Sequence, residues 1–230
     1  MILPRFLLLF ASLLPVGAAP DHGKPTDSVP QSGAGAKRFY EHHEICLARR
    51  AQHPDLIFIG DSITEGWEWG DAPSLWKKYF DPLNAANFGV STDRTQNVIW
   101  RLTEGGELED VRPRVAVVLI GTNNVGRDKT DEIAAGVERI VRIIQKQSPH
   151  TKVLLLGIFP RTMGGADAAA QVTAVNELLA KLDDGSSIRV LDIGDKFTDD
   201  AFTDGLHLNI KGHQIWAEAL RPLLTSMMNP

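Results

Sequence analysis

The chain has 230 residues, of which 43% are hydrophobic and 23% charged, and its formal net charge is −5. These values are close to the average for globular proteins, and a chain of this length can bury one substantial core. The negative charge and the lack of a run rich in Lys and Arg exclude a basic surface that binds the phosphate backbone of a nucleic acid. We therefore expect no nucleic-acid partner.

Residues 1–19 are predicted to be a cleavable signal peptide. Arg5 precedes an apolar run from Phe6 to Leu14, and small residues follow at positions 17–19. The run is too short to cross a bilayer and has the layout of a secretory signal. The sequence therefore predicts a secreted or periplasmic protein with no stable membrane insertion.

Residues 20–36 are rich in Pro, Gly and Ser, which is typical of a flexible linker. The folded domain is predicted to occupy residues 37–230. Cys46 is the only cysteine, so no internal disulfide is expected. We interpret Cys46 as a small apolar residue on a helix face.

Apolar runs of strand length alternate with segments of helix length in the rest of the chain. The strands are predicted at residues 56–59, 85–88, 115–120, 153–158 and 188–193, and the helices at 37–52, 74–80, 95–102, 131–147, 168–182 and 211–226. The strands at 115–120 and 153–158 are almost continuously apolar, as expected where helices cover both faces of a sheet. The pattern predicts a three-layer α/β/α sandwich with a flavodoxin-like parallel sheet of about five strands, in the order 2-1-3-4-5.

Three residues form a candidate catalytic set for acyl transfer. Ser62 follows the first strand in the turn GDSI, and Asp204 and His207 stand three residues apart in FTDGLHLN. A hydroxyl nucleophile, an imidazole base and an orienting carboxylate are the parts of such a site. A DxxH pair alone also occurs in surface salt bridges, and Ser62 alone is also typical of a turn or helix cap. The conjunction of the two favours a serine hydrolase.

Three groups are candidate donors to the oxyanion that develops during ester hydrolysis. They are the backbone N–H of Ser62, the backbone N–H of Gly89 and the side-chain amide of Asn123. Each has another interpretation, since Gly89 also suits a positive φ and Asn123 also suits a turn.

Four segments carry a family resemblance: GDSI with Ser62, NFG with Gly89, GTNN with Asn123, and DGLH with Asp204 and His207. As a set, and in this order, they resemble the four sequence blocks of the SGNH (GDSL-type) hydrolases. The stretches ANFGVSTDRTQNVIWRL and LLLGIFPR are similar to the catalytic subunits of intracellular platelet-activating-factor acetylhydrolase. The resemblance implies a flavodoxin-like fold, the Ser62–His207–Asp204 triad, the three oxyanion donors, and neither a metal nor another cofactor.

One segment departs from these relatives and bears on the substrate. The relatives usually carry further glycines after the position of Gly89, whereas this chain has Ser91 and Thr92, whose side chains are predicted to border the pocket mouth. Trp67 and Trp69 are candidates for a wall that stacks on a sugar, although tryptophans near a sheet edge equally often pack over the core.

The sequence therefore predicts a secreted serine esterase that removes small acyl groups, with acetyl preferred, from a carbohydrate or similar alcohol. A lysophospholipase or thioesterase using the same residues is the second interpretation. A non-catalytic carbohydrate-binding protein is the third, and it is disfavoured because no catalytic position is missing.

Overall fold

A computed structural model describes residues 23–229 of the chain. The predicted signal peptide lies outside the described residues. The helices are α1 Ala36–Arg50, α2 Ser62–Glu65, α3 Ala72–Tyr79, α4 Thr95–Leu102, α5 Thr130–Gln147, α6 Gly165–Leu179 and α7 Ile210–Met228. The strands are β1 Leu56–Gly60, β2 Ala85–Gly89, β3 Val115–Leu119, β4 Lys152–Leu156 and β5 Ile188–Leu191.

The five strands form one parallel sheet in the order β2-β1-β3-β4-β5. This confirms the predicted fold class and strand order. Because all strands run in the same direction, their carboxyl ends meet at one edge, where open α/β sheets hold their sites.

Two hydrophobic cores lie on opposite faces of the sheet. Successive residues of a strand point to opposite faces, so Ile57 and Ile59 of β1 join one core while Leu56 and Phe58 join the other. Residues of α1, α4, α5 and α6 complete the first core, and residues of α3 and α7 complete the second. The strands β1 and β3 are buried along their whole length, which explains why they are continuously apolar.

The described part of the predicted linker packs on the domain. The Thr95 hydroxyl donates to the carbonyl of Pro25 at 2.8 Å, and the Asn97 amide donates to the carbonyl of Val29 at 2.9 Å. We call residues 23–35 the N-terminal strap, because they run along α4 and end at the start of α1. The expectation of a free tether therefore does not hold for these residues.

None of the helices within residues 23–229 is long and apolar enough to span a membrane. Cys46 is fully buried on the inward face of α1, as its interpretation as a small apolar residue requires.

Candidate active site

Ser62 is the first residue of α2, directly beyond the carboxyl end of β1. Asp61 caps this short helix, because its Oδ1 accepts a hydrogen bond from the N–H of Ile63 at 3.0 Å. Gly60 lets the end of β1 lie close to β3, since a Cβ there would lie 2.3 Å from the carbonyl oxygen of Leu119. The Ser62 side chain is thereby held at the sheet edge and is only slightly exposed.

His207 and Asp204 lie in a closed loop that leads into α7. The N–H of Thr203 donates to the carbonyl of His207 at 2.8 Å, which closes the loop. Asn209 caps α7, since its Oδ1 accepts from the N–H of Lys211 at 2.9 Å. The helix cap and the loop closure together fix the direction of the imidazole.

The three side chains form a continuous hydrogen-bonded array. Ser62 Oγ lies 2.9 Å from His207 Nε2, and His207 Nδ1 lies 2.7 Å from Asp204 Oδ2. An ionised carboxylate can only accept, so Nδ1 carries the proton and Nε2 accepts from the serine hydroxyl. The structure thus brings together the three residues that the sequence singled out, and the array can move a proton from the hydroxyl to the imidazole.

Asp204 is held in its ionised form. Its partial burial tends to raise the pKa, but hydrogen bonds from the His207 N–H, the His207 ring and the Leu206 N–H outweigh burial and lower the pKa of Asp204. A carboxylate that stays ionised can stabilise an imidazolium.

Gly89 does not offer the predicted oxyanion donor. Its N–H donates to Oδ1 of Asn87 at 2.8 Å, and the residue is buried in the sheet. The glycine is required for packing instead, because a Cβ at this position would lie 2.2 Å from the backbone nitrogen of Glu65. The assignment of Gly89 to the oxyanion hole is therefore wrong.

The loop after Gly89 contains another backbone donor. Within residues 23–229, the N–H of Thr92 has no hydrogen-bond acceptor, whereas the N–H groups of Ser91 and Asp93 are both occupied. Thr92 has φ +66°, a backbone region that favours glycine and that a β-branched residue rarely adopts. Its side chain is exposed, while that of Ser91 is partly buried.

Asn123 is oriented by the same loop. Its Nδ2 donates to the carbonyl of Asp93 at 2.9 Å, and the side chain is partly buried. An amide nitrogen has two protons, so one donor remains available to another acceptor.

The two candidate sugar-stacking tryptophans have different environments. Trp67 is fully buried in the core beside Phe80, Trp216 and His213, so it cannot stack on a substrate and that prediction is wrong. Trp69 is 38% exposed, and its ring centroid lies 5.8 Å from that of His207. Only Trp69 borders the candidate site.

A cavity of about 470 Å³ lies beside His207 and is lined by Trp69, Asp204 and Asn209, among other residues. A larger cavity of about 650 Å³ lies over β4, β5 and α6, and its wall contains none of the three residues of the hydrogen-bonded array. We take the cavity of about 470 Å³ as the one connected with the chemistry, because His207 and Asp204 border it, although Ser62 is not part of its wall.

A buried charge network beneath the site was not anticipated from the sequence. Arg101 is completely buried and donates to Asp93 Oδ2 at 2.7 Å, to Glu107 Oε2 at 2.6 Å and to the carbonyls of Gly60 and Phe88. Burial alone would lower the pKa of Arg101, but the two carboxylates outweigh it and raise that pKa. The guanidinium thus ties the carboxyl ends of β1 and β2 to the loop that carries Thr92.

Glu65 is a second support that sequence reasoning missed. This buried carboxylate accepts hydrogen bonds from the N–H of Ser91 at 2.6 Å and from Arg38 Nη2 at 2.5 Å. Glu65 lies three residues after Ser62 on α2. In the sequence, a glutamate at this position looks the same as one on the exposed face of a helix. Among the described residues, no group of three His, Cys, Asp or Glu side chains is placed to hold a metal ion.

An α/β/α sandwich with a Ser–His–Asp array at the carboxyl edge of its parallel sheet has the architecture of a hydrolase that acts on carboxylic esters. Comparisons with known proteins agree with this class. Residues 58–215 match the profile of the GDSL-like Lipase/Acylhydrolase family. The chain is 33% identical to platelet-activating factor acetylhydrolase IB subunit alpha2 of Rattus norvegicus over 196 residues. This alignment covers 82% of this chain and 83% of the rat protein.

Two solved structures share the fold. A GDSL-like lipase from Bacteroides thetaiotaomicron has a TM-score of 0.65 at 18% identity, covering 83% of this chain and 97% of that chain. A carbohydrate esterase family 3 protein from Talaromyces cellulolyticus has a TM-score of 0.60 at 22% identity, covering 76% of this chain and 98% of that chain. The chain therefore belongs to the GDSL-like lipase/acylhydrolase family, the SGNH hydrolases, and is a carboxylic ester hydrolase.

Proposed function

We propose that this acylhydrolase is a secreted serine esterase that removes small acyl groups, above all acetyl, from carbohydrate alcohols through a Ser62–His207–Asp204 triad. The observation that carries the proposal is the continuous array from Ser62 Oγ through the His207 ring to Asp204 Oδ2, with distances of 2.9 and 2.7 Å.

In the first half of the reaction, Ser62 Oγ attacks the ester carbonyl carbon while its proton passes to Nε2 of His207. The ionised Asp204 stabilises the imidazolium that forms. The carbonyl oxygen becomes negatively charged in the tetrahedral intermediate, and the N–H groups of Ser62 and Thr92 and the free proton of the Asn123 amide are its donors. Collapse of the intermediate breaks the ester bond, and His207 protonates the departing alcohol.

In the second half, water attacks the acyl-Ser62 ester and gives its proton to His207. The second tetrahedral intermediate collapses, releases the carboxylic acid and returns the proton to Ser62 Oγ. Over both halves, one ester and one water are consumed, one alcohol and one carboxylic acid are released, and Ser62 and His207 return to their starting protonation states.

The substrate class rests on the surroundings of His207. An exposed Trp69 ring and polar side chains such as Asp204 and Asn209 share the wall of the cavity, which suits an alcohol that has both an apolar face and hydroxyl groups, such as a sugar. Solved structures with this fold include a carbohydrate esterase and an acetyl esterase, which fits the same substrate class.

The second candidate is a lysophospholipase or thioesterase that uses the same residues on long acyl chains, and the lipase in the description of the matching family favours it. Turnover of p-nitrophenyl esters of graded length separates the two. A small-acyl esterase loses activity beyond a few carbons, whereas a lipid hydrolase gains activity with chain length.

Secretion is proposed from the charged and apolar layout of residues 1–19. Expression of the whole chain in a secreting host, followed by N-terminal sequencing of the exported product, tests this part. A product that retains residues 1–19 inside the cell would contradict it.

The catalytic assignment is tested with Ser62→Ala and the matched control Ser74→Ala, since Ser74 is an exposed serine on α3. Ser62→Ala should abolish hydrolysis of p-nitrophenyl acetate and labelling by a fluorophosphonate, while Ser74→Ala should retain both. Normal turnover in Ser62→Ala would overturn the triad.

A further inference from the structure

We propose that Gln31, on the N-terminal strap, is a positioning residue that holds the oxyanion-binding loop Ser91–Asp93 in its active shape. This inference rests on the proposed function, because it concerns the loop that carries the Thr92 N–H. The residue lies outside the segment 58–215 that matches the family profile, so the loop takes one of its supports from a part of the chain that the family match does not include.

The Gln31 side chain contacts three consecutive residues of this loop. Its Nε2 donates to the carbonyl of Ser91 at 3.0 Å and to Oδ1 of Asp93 at 2.7 Å. Its Oε1 accepts from the hydroxyl of Thr92 at 3.0 Å. Both ends of the Gln31 amide are thus bonded to the loop. The side chain is also buried, so water does not compete for these hydrogen bonds.

The loop needs such support because its central residue adopts an unfavourable backbone. Thr92 has φ +66°, and a β-branched residue adopts this region only when its surroundings impose it. The contacts of Gln31 fall on Thr92 and on both of its neighbours, so they constrain the peptide unit whose N–H is the oxyanion donor. A change in that unit turns the N–H away from the carbonyl oxygen of the substrate.

The other supports of the loop act at its two ends. Glu65 accepts from the N–H of Ser91, Arg101 donates to Oδ2 of Asp93, and Asn123 donates to the carbonyl of Asp93. Within residues 23–229, Gln31 is the side chain from outside the loop that hydrogen-bonds to Thr92, through the threonine hydroxyl. Its removal should therefore loosen the centre of the loop while both ends stay attached.

The strap is anchored independently of Gln31. Its early part is bonded to α4 through Gly23 and Val29, whose carbonyls accept from Gln96 and Asn97 at 3.0 and 2.9 Å. Ser28 makes a separate contact, 3.3 Å from the Thr103 hydroxyl at the other end of α4. A substitution at Ser28 therefore disturbs the strap away from the loop and is a matched control.

The test compares Gln31→Ala, Gln31→Glu and Ser28→Ala in the full chain, with kcat and KM for p-nitrophenyl acetate and the thermal midpoint measured for each. Gln31→Ala should lower kcat by roughly 10- to 100-fold with KM changed less than about twofold, because a misplaced donor affects the transition state more than the bound substrate. Gln31→Glu keeps the shape of the side chain but replaces the Nε2 donor by an acceptor that faces a carbonyl and a carboxylate. The kcat of Gln31→Glu should therefore fall at least as much as that of Gln31→Ala.

Ser28→Ala should keep the kcat of the parent. The inference is overturned if both Gln31 variants retain kcat within about twofold of the parent, or if Ser28→Ala loses as much kcat as they do at a similar thermal midpoint. The proposed function is judged separately by Ser62→Ala. An inactive Ser62→Ala together with fully active Gln31 variants would reject the positioning role and leave the triad intact.

Discussion

The backbone N–H of Gly89 donates to Oδ1 of Asn87, two residues earlier on β2, at 2.8 Å. The other end of the Asn87 amide donates to the carbonyl of Thr64 at 3.0 Å. Asn87 therefore joins the end of β2 to α2, the helix that begins with Ser62. The polar side chain of Asn87 within β2 organises the nucleophile turn, and Gly89 lets β2 approach that turn.

Substitution Gly89→Ala is expected to destabilise the fold. The new Cβ would lie 2.2 Å from the nitrogen of Glu65 and 2.7 Å from the carbonyl carbon of Thr64. Both are backbone atoms, so relieving the overlap requires a shift of α2 relative to β2. We expect a loss of about 3 kcal/mol or more in the free energy of unfolding, measured by chemical denaturation. An unchanged unfolding midpoint would show that α2 and β2 are not in tight contact.

Two adjacent asparagines after β3 should respond in opposite ways to alanine substitution. Asn123 keeps one amide proton free for the oxyanion, so Asn123→Ala should reduce kcat by about 100-fold or more with little change in stability. Asn124 is completely buried, where its Oδ1 accepts from the N–H of Thr95 and its Nδ2 donates to Asp128. Asn124→Ala should therefore cost about 1–3 kcal/mol of stability by leaving buried groups unpaired.

Steady-state kinetics and denaturation of the two variants, measured side by side, check this contrast. Similar losses of stability in both, with kcat retained in Asn123→Ala, would remove Asn123 from the oxyanion hole.

The two tryptophans after α2 give a second pair of contrasting variants. Trp67→Ala leaves a large cavity in the aromatic core beside Phe80 and Trp216 and should cost about 3–5 kcal/mol of stability. Trp69→Ala should leave stability nearly unchanged, because the side chain is 38% exposed. If Trp69 stacks on a sugar, its removal raises KM for an acetylated oligosaccharide and leaves KM for p-nitrophenyl acetate unaltered. An equal effect on both substrates would argue against stacking.

The sheet could be predicted from the sequence because parallel strands with both faces covered appear as uninterrupted apolar runs. The order of the strands was confirmed, as were all six predicted helices, to within a few residues at their ends. The helix Ser62–Glu65 was missed because four residues are too few to show a helical period. The position of Ser62 at a strand end was predictable because it depends only on the end of an apolar run.

The supports of the site could not be predicted, because they depend on contacts between distant segments. A glycine in a sequence can indicate a free donor or a close approach of backbones, and at Gly89 the bonded N–H and the nearby Glu65 backbone show the close approach. The strap has the composition of a linker, but its carbonyls accept from the polar side chains of α4 at Thr95, Gln96 and Asn97. Composition carries no information on such backbone partners.

Asp61 should make stability depend on pH. Burial and the nearby Asp93 together raise the pKa of Asp61 to about 7, against the hydrogen bond from Ile63. Because the carboxyl is fully buried and its Oδ2 has no partner within the described residues, the folded protein favours the protonated form. The unfolded chain releases this proton at a lower pH, near 3.8, the ordinary pKa of an aspartate.

The folded state therefore binds more protons than the unfolded state between about pH 4 and pH 7, and the contribution of Asp61 to stability falls as the pH rises through that window. Asp61→Asn removes the ionisation but keeps an oxygen that accepts from Ile63. Relative to the parent, the variant should be similar at pH 4 and progressively more stable up to pH 7, by at most about 4 kcal/mol. Chemical denaturation of both proteins across this range measures the difference, and a difference that stays constant with pH would mean that Asp61 ionises equally in the folded and unfolded states.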